Sequence, residues 1–303
     1  MLSVLKIGGS VLRDDRSYAA TAQFLEDRLT ARSDERLVVI VSAQYGATDE
    51  LLAEARAIAT GAASEGRREP PRSGGPSAQR GGESEGAPPS EVNKEALDLL
   101  WSTGELRSVA RLTLHLQRLG VSAIPFNVHQ TGLVACPERT DDIRRRAGAG
   151  GAHTAVRPLR LLAALGASRI VIVPGFLGVS AGGTITSLGR GGSDLTAVLL
   201  AAAVRADACE LIKDVPGYFT ADPHRDAGAE QIHELGVDEA LRMADAGCDL
   251  VQRGALAAAA DAGLHLIIRC MDAAAPVTHV FSKRSQHHGI RHQDDSRRAA
   301  VGA

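Results

Sequence analysis

Leu2-Ser3-Val4-Leu5-Lys6-Ile7, followed at once by Gly8-Gly9-Ser10, reads as a short apolar strand that breaks into a glycine turn. Apolar residues at near-helical spacing over 18–29 come next, and then an unbroken apolar run at 37–41 with charge before it and Ser42-Ala43 after it. A segment that is apolar at every position suits a strand buried on both faces. Helical periodicity resumes over 49–59, so the chain opens strand, helix, strand, helix, the order of a mostly parallel sheet covered by helices. The expected class is α/β. Composition agrees, because with 3% aromatic residues and 32 glycines the core must be built from Ala, Val, Leu and Ile.

Further along, residues 91–119 read as a helix broken once at Thr103-Gly104, 122–126 as a strand, and 170–173 as another buried strand ending at Pro174-Gly175. A glycine-dense run over 178–192 leads into an Ala/Leu-rich helix at 194–205, a strand at 210–213 and a turn at Val215-Pro216-Gly217. Helices over 237–246 and 254–262 and a strand over 264–268 complete the expected ordered body. Residues 61–90 are different, rich in Gly, Pro and Ser with no Val, Ile, Leu, Met, Phe, Trp, Tyr or Cys. Without apolar surface to offset an ordering cost of roughly 1–2 kcal/mol per residue, this insertion is expected to be disordered. The sheet pattern resumes after it, so a single domain over 1–282 is expected, followed by a polar, disordered tail at 283–303.

The charges nearly cancel, 34 Lys+Arg against 36 Asp+Glu for a net −2, which excludes a nucleic-acid binder working through a basic face. No apolar run approaches the roughly 18–20 residues of a membrane span, and Lys6 with the glycine pair interrupts any signal-like stretch after Met1. A cytoplasmic protein without a membrane or nucleic-acid partner is therefore expected. Cys136, Cys209, Cys248 and Cys270 form no CxxC pair, which argues against a zinc knuckle or a disulfide framework.

Three glycine clusters, at Gly8-Gly9, at 175–183 and at 189–192, each follow an apparent strand. In an open α/β sheet, ligands collect at the carboxyl ends of strands, where helix N-termini offer free N–H groups and positive dipole ends. The expected guest is an anion, most commonly phosphate. Arg190 adds a donor fork to the cluster that precedes the 194–205 helix. There is no GxxxxGK[ST], and no GxGxxG opens a helix after the first strand, so neither a P-loop NTPase nor a dinucleotide enzyme is supported. Lys6 instead precedes its glycines, at a strand end where Gly8 and Gly9 would cradle a phosphoryl group and an ammonium would screen the charge of transfer.

The order of the motifs carries more than any one of them. Lys6-Ile7-Gly8-Gly9-Ser10, Val41-Ser42-Ala43 leading to Thr48-Asp49, Ser102-Thr103-Gly104-Glu105, Leu188-Gly189-Arg190-Gly191-Gly192-Ser193-Asp194 and Lys213-Asp214-Val215-Pro216-Gly217-Tyr218-Phe219-Thr220-Ala221-Asp222-Pro223 follow one another. Together they resemble the catalytic domain of the aspartate kinases, in the amino acid kinase superfamily, over residues 2 to about 282 outside the insertion. The resemblance implies a three-layer αβα sandwich around a mainly parallel central sheet. It also implies ATP-dependent phosphorylation of the side-chain carboxylate of L-aspartate to 4-phospho-L-aspartate, the first step toward lysine, threonine and methionine. Mg²⁺ would arrive on the ATP, with no residue assigned to it directly.

By the same resemblance, Lys6 stabilises the transferring phosphoryl group, Gly8, Gly9 and Ser10 line its path, and Asp194 organises the lysine or the magnesium-bound phosphate. Arg190 would grip the substrate α-carboxylate with Ser193 beside it, and Glu105 the ammonium, while Ala43 and Thr48 add aspartate contacts. Lys213, Asp214, Tyr218 and Asp222 match the segment that surrounds the nucleotide. The chain departs from the pattern at Gln44 and Tyr45, where the family usually has Met and Gly, and at Asp249-Leu250-Val251-Gln252-Arg253, where it usually has Lys-Val-Leu-His-Pro. No ACT domains follow, so feedback inhibition through an attached domain is not expected. The assembly expected is a homo-oligomer such as a dimer. Two alternatives stand beside this reading: a superfamily relative acting on another carboxylate, carbamate or phosphate, and a catalytically silent nucleotide-binding regulator.

Overall fold

The computed structural model describes residues 1–61, 92–135, 155–189, 191–223, 225–226 and 228–282. The insertion (apart from Gly61), the tail at 283–303, Cys136 and Arg190 lie outside the described residues. Strands β1 (Leu2–Ile7) and β2 (Arg36–Val41) form where the apolar runs predict them, buried along nearly their whole length. Between them, α1 (Asp15–Ala31) begins at Asp14, whose carboxylate accepts the Ser17 N–H at 2.9 Å while Ser17 Oγ accepts the Asp14 N–H at 2.9 Å. This capping box satisfies donors that a helix start otherwise leaves unpaired.

Next come α2 (Ala47–Ala59) and α3 (Lys94–Arg118). The latter runs unbroken through Thr103-Gly104, against the interruption expected there. Gly104 serves close approach: a Cβ on it would lie 3.2 Å from the Cβ of Ala43 and 3.3 Å from Leu51 Cδ1. The chain continues through β3 (Ile124–Pro125), β4 (Leu133–Val134), β5 (Ala155–Val156), α4 (Leu159–Ala167), β6 (Ile170–Pro174), β7 (Leu177–Val179), β8 (Ile185–Ser187), α5 (Gly192–Val204) and β9 (Ala208–Ile212). It closes with β10 (Tyr218–Phe219), β11 (Gln231–Ile232), β12 (Glu234–Gly236), α6 (Val237–Asp245), α7 (Arg253–Ala262), β13 (Leu266–Arg269) and β14 (Thr278–Phe281).

The main sheet has eight strands in the order β12-β14-β13-β9-β1-β2-β6-β3, and every neighbouring pair is parallel except β13 with β14. A four-stranded sheet, β5-β4-β7-β8, and the β10–β11 hairpin are additions that the sequence does not announce, as are β12 and β14. The glycine-dense run over 178–192 holds most of the β7–β8 hairpin.

Side-chain alternation makes three layers. Leu5 and Ile7, with Leu37, Val39 and Val41, pack under Leu25 and Leu29 of α1 and Leu112 and Leu116 of α3. Val4, with Val38 and Ile40, faces the other way, against Ala197, Val198 and Ala201 of α5 and the α7 residues behind them. Each fully buried Leu, Ile or Val in these layers stabilises the fold by roughly 1.5–3 kcal/mol. A period of two puts Lys6 on the Val4 side, beneath α5.

One polar cluster interrupts the first layer. Arg28 of α1 donates to Glu35 at 2.9 and 2.7 Å and to Glu210 of β9 at 2.9 and 2.6 Å, while Ser3 Oγ donates to Glu35 at 2.5 Å. Arg269 lies 3.6 Å from Glu210. Burial works against ionisation of Glu35, but the Arg28 and Ser3 hydrogen bonds outweigh it and hold its carboxyl below the usual range.

Candidate active site

At the carboxyl ends of β1, β2, β6 and β9 the chain leaves a solvent-open cavity of about 400 Å³. The turn after β1 forms one edge. Gly8 N–H donates to the Ile212 carbonyl at 3.2 Å, and a Cβ on Gly9 would come within 2.8 Å of the Ala43 carbonyl oxygen, so no side chain fits there. Gly191 forms another edge with φ +71, a left-handed backbone that suits glycine, and Gln252 presses on it so closely that a Cβ would meet Gln252 Cγ at 1.8 Å. Helix α5 starts there with no side chain capping it, which leaves its first turn toward the cavity.

The floor is a buried charge triad. Asp194, in the first turn of α5 and 2% exposed, has Lys6 Nζ 2.8 Å from Oδ1 and Lys213 Nζ 2.8 Å from Oδ2. Burial raises the Asp194 carboxyl, but the two ammoniums overcome it and hold it down at about 2. Lys213 is pulled down to about 8 by burial and by its neighbour Lys6, with Asp194 pulling the other way. Two cations share one anion here, so the floor carries a surplus positive charge whose natural counter-ion is a ligand.

Across the cavity, Glu105 of α3 is 4% exposed. Burial pushes its carboxyl up to about 8, against the opposing pull of the Ala43 and Gly175 N–H groups and of Lys6. Its Oε2 has no hydrogen-bond partner among the described residues although it is buried, an acceptor held ready for a donor. Gly175 stays a glycine because a Cβ would strike Ser193 Oγ at 2.6 Å.

Of the residues singled out from sequence, Lys6, Gly9, Ser10, Ala43, Thr48, Glu105, Ser193, Asp194 and Lys213 line this one cavity. Gly8 is not among the lining residues. Asp214 is half exposed and faces Arg13 at 4.0 Å. Asp222 pairs with Arg225 at 3.4 Å in an exposed turn. Tyr218 is placed in the core, 1% exposed, with its N–H on Thr278 Oγ1 at 2.9 Å, so it supports the segment from behind and is not part of the cavity wall.

The structure adds Phe176, Asp249 and Gln252 to the lining. Phe176 has φ +68, strained for a residue with a Cβ, and meets the edge of Trp101 at 5.5 Å between centroids. Backbone strain of this sort leaves no trace in local sequence. Asp249 and Gln252 belong to the segment that departs from the aspartate kinase pattern, and that departure was the only available signal. Among the described residues no group of three or more His, Cys, Asp or Glu is arranged to hold a metal ion. No helix among them is long and apolar enough to cross a membrane.

The amino acid kinase family profile matches residues 1–270. An aspartokinase of Thermus thermophilus is 34% identical over 269 residues, 88% of this chain and 56% of the relative. The chain spans about half the length of the curated relatives it matches. The crystal structure of aspartate kinase from Synechocystis superposes with a TM-score of 0.69 at 29% identity, covering 93% of this chain and 40% of that one. That of E. coli aspartokinase III in complex with aspartate and ADP gives a TM-score of 0.70 at 23% identity, with 93% and 65% covered.

Proposed function

The chain belongs to the amino acid kinase family, and from that premise we propose that its 1–282 domain transfers the γ-phosphoryl group of ATP to the side-chain carboxylate of L-aspartate. The observation that carries this reading is the pairing of the Lys6–Asp194–Lys213 floor with a buried Glu105 across the same cavity. One side suits a polyphosphate, the other an ammonium.

The reaction needs no general base, because the attacking carboxylate is ionised at neutral pH. An oxygen of that carboxylate bonds to the γ-phosphorus as the bond from phosphorus to the β,γ-bridging oxygen breaks, and ADP leaves with the electron pair. Catalysis then consists of holding two anions together while screening their repulsion. Lys6 screens the transferring group, and Asp194 fixes Lys6 and Lys213 in place. The uncapped start of α5, through Gly191 and Ser193, and the turn after β1, through Gly9 and Ser10, supply backbone donors to the phosphates, while Gly8 and Gly192 keep the path clear of side chains. Lys213 binds the nucleotide, with Asp214, Tyr218 and Asp222 in the segment that follows it. Both Asp194 oxygens are ion-paired with lysines, so Mg²⁺ would arrive on the ATP phosphates and would supply charge screening there.

Glu105 receives the aspartate ammonium, Ala43 and Thr48 flank it, and Arg190, assigned by its motif alone, takes the α-carboxylate. The test is acyl-phosphate formation from ATP, Mg²⁺ and L-aspartate, trapped with hydroxylamine, with glutamate, N-acetylglutamate and carbamate in parallel. Aspartate hydroxamate is the expected product, and Arg190→Ala should mainly raise the aspartate KM. A signal only with another acceptor would move the chain to a different branch of the family. Silence throughout with ATP still bound would make it a nucleotide-binding regulator.

A further inference from the structure

The cavity wall at residues 42–46 is where this chain carries Gln44 and Tyr45, and both are tied into a network outside the floor and Glu105. Gln44 Oε1 accepts from Arg111 Nη1 at 2.5 Å, and Gln44 Nε2 donates to the Arg13 carbonyl at 2.8 Å. One side-chain amide therefore joins three segments: the loop after β2, the turn after β1, and α3. The Tyr45 N–H donates to the Leu12 carbonyl at 2.9 Å, and the Arg13 guanidinium sits 5.2 Å from the Tyr45 ring centroid.

Arg111 is itself fixed. Its Nη2 lies 3.2 Å from Asp15 Oδ1, which also meets His115 Nε2 at 3.1 Å, and its guanidinium lies 4.4 Å over the Tyr18 ring. Tyr18 is held in turn by Ser108 at 2.7 Å. The same helix grips the loop a second time, through Glu105 on the Ala43 N–H and through Gly104 against the Ala43 methyl. Arg111 touches neither the cavity nor Lys6, Asp194 or Lys213.

We infer that Arg111 is a positioning residue for the acceptor: through the Gln44 amide it clamps residues 42–46 onto α3 and so sets the gap between Glu105 and the glycine turn. Naming the acceptor as an amino acid rests on the function proposed above; the clamp does not. A hydrogen bond to a charged donor is the stronger kind, and its loss would let the wall drift while the phosphate floor stays in place. The consequence is specific to acceptor binding.

The test compares Arg111→Met, Gln44→Met and the double variant of the full chain, with Arg111→Lys as the conservative replacement. Asp15 is largely exposed, so Arg111→Met strands no buried charge and the variant should fold. Each single variant is expected to raise the aspartate KM about 10-fold, with kcat and the ATP KM within about 2-fold of wild type. The double variant should be no worse than Gln44→Met alone, because the Arg111–Gln44 bond is already lost in that single variant. Arg111→Lys keeps a charged donor without the fork, and should recover part of the loss. Amide hydrogen exchange over 42–46 should be about 10-fold faster in both single variants, with α1 unchanged in Gln44→Met, which leaves the Arg111 contacts to Asp15 and Tyr18 in place.

Additive single effects, a fall in kcat with KM unmoved, or unchanged exchange over 42–46 would each overturn the inference. If wild-type protein phosphorylates no amino acid, the proposed function fails, and the exchange measurement alone decides the clamp. Acceleration over 42–46 in both single variants, with α1 unchanged in Gln44→Met, then supports it, and unchanged exchange over 42–46 sinks it.

Discussion

On one side of the sheet, Ser3 and Glu210 of β1 and β9 join Arg28, Glu35 and Arg269 in a buried ionic cluster; at the ends of the same two strands, Lys6 and Lys213 converge on Asp194. The first cluster is closed. Arg28 makes two hydrogen bonds to each of the buried carboxylates Glu35 and Glu210, with the partly exposed Arg269 3.6 Å from Glu210 and the exposed Arg32 3.7 Å from Glu35 at the cluster's edge. The second is open. Two ammoniums share one carboxylate by single contacts at the floor of a solvent-open cavity. A group whose buried charges are all hydrogen-bonded needs nothing further, whereas two buried ammoniums on one carboxylate are held at a cost that an anionic ligand would offset. How completely the buried charges are hydrogen-bonded thus separates a structural site from a binding site more clearly than burial does, since Glu35, Glu210 and Asp194 are all buried.

The sharpest way to break this comparison is to remove one cation from each. Lys6→Met should lower kcat on the order of 10³-fold with little change in the aspartate KM, as expected when a stabiliser of developing charge is lost from a preorganised site. Its thermal midpoint should stay near that of wild type. A kcat within 10-fold of wild type would dissolve the distinction. Arg28→Met should do the reverse, costing about 3–5 kcal/mol of unfolding free energy in urea by stranding Glu35 and Glu210, with kcat nearly unchanged at temperatures where the variant is folded.

A pH series sharpens the contrast. Glu105 is raised to about 8, so below that pH it is protonated and must lose its proton to accept an ammonium. The aspartate KM should therefore fall about 10-fold per unit as pH rises from 6 toward 8, and Glu105→Gln should raise the KM and flatten the profile. Lys213 is lowered to about 8, so above that pH it loses charge and the ATP KM should climb. The closed cluster has no such window. Glu35 is lowered from 4.5, so its contribution to stability is present above that value and is lost only as pH falls through its folded pKa. The smallest effect belongs to Arg269→Ala, whose long 3.6 Å contact with Glu210 predicts a loss of about 1 kcal/mol or less in the same urea titration.

Much of the fold was legible because β2 and β6 carry continuous apolar runs that suit a strand buried on both faces, and β1 is apolar apart from Ser3 and Lys6. Strands of two or three residues, such as β4, β5, β7 and β8, are too short for any period to register, and β14 alternates weakly beside a polar tail. Gly104 misled because a glycine inside a helix has two meanings, a break or a close contact, and only the position of Ala43 distinguishes them. Lys6, Glu105, Asp194 and Lys213 stood out through ordered motifs. Phe176 and Gln252 did not, because their place at the cavity follows from a strained backbone and from the path between α6 and α7, neither of which is written locally.

The alternation of β1 has a further consequence, for folding. A slip of one residue against β2 and β9 would turn Lys6 into the apolar layer under α1 and α3, and would set Leu5 or Ile7 against Asp194. Either outcome buries an uncompensated charge, so a misregistered sheet is penalised at once. The lysine assigned to phosphoryl transfer thereby also acts as a register key, a check on strand alignment made before any substrate has bound.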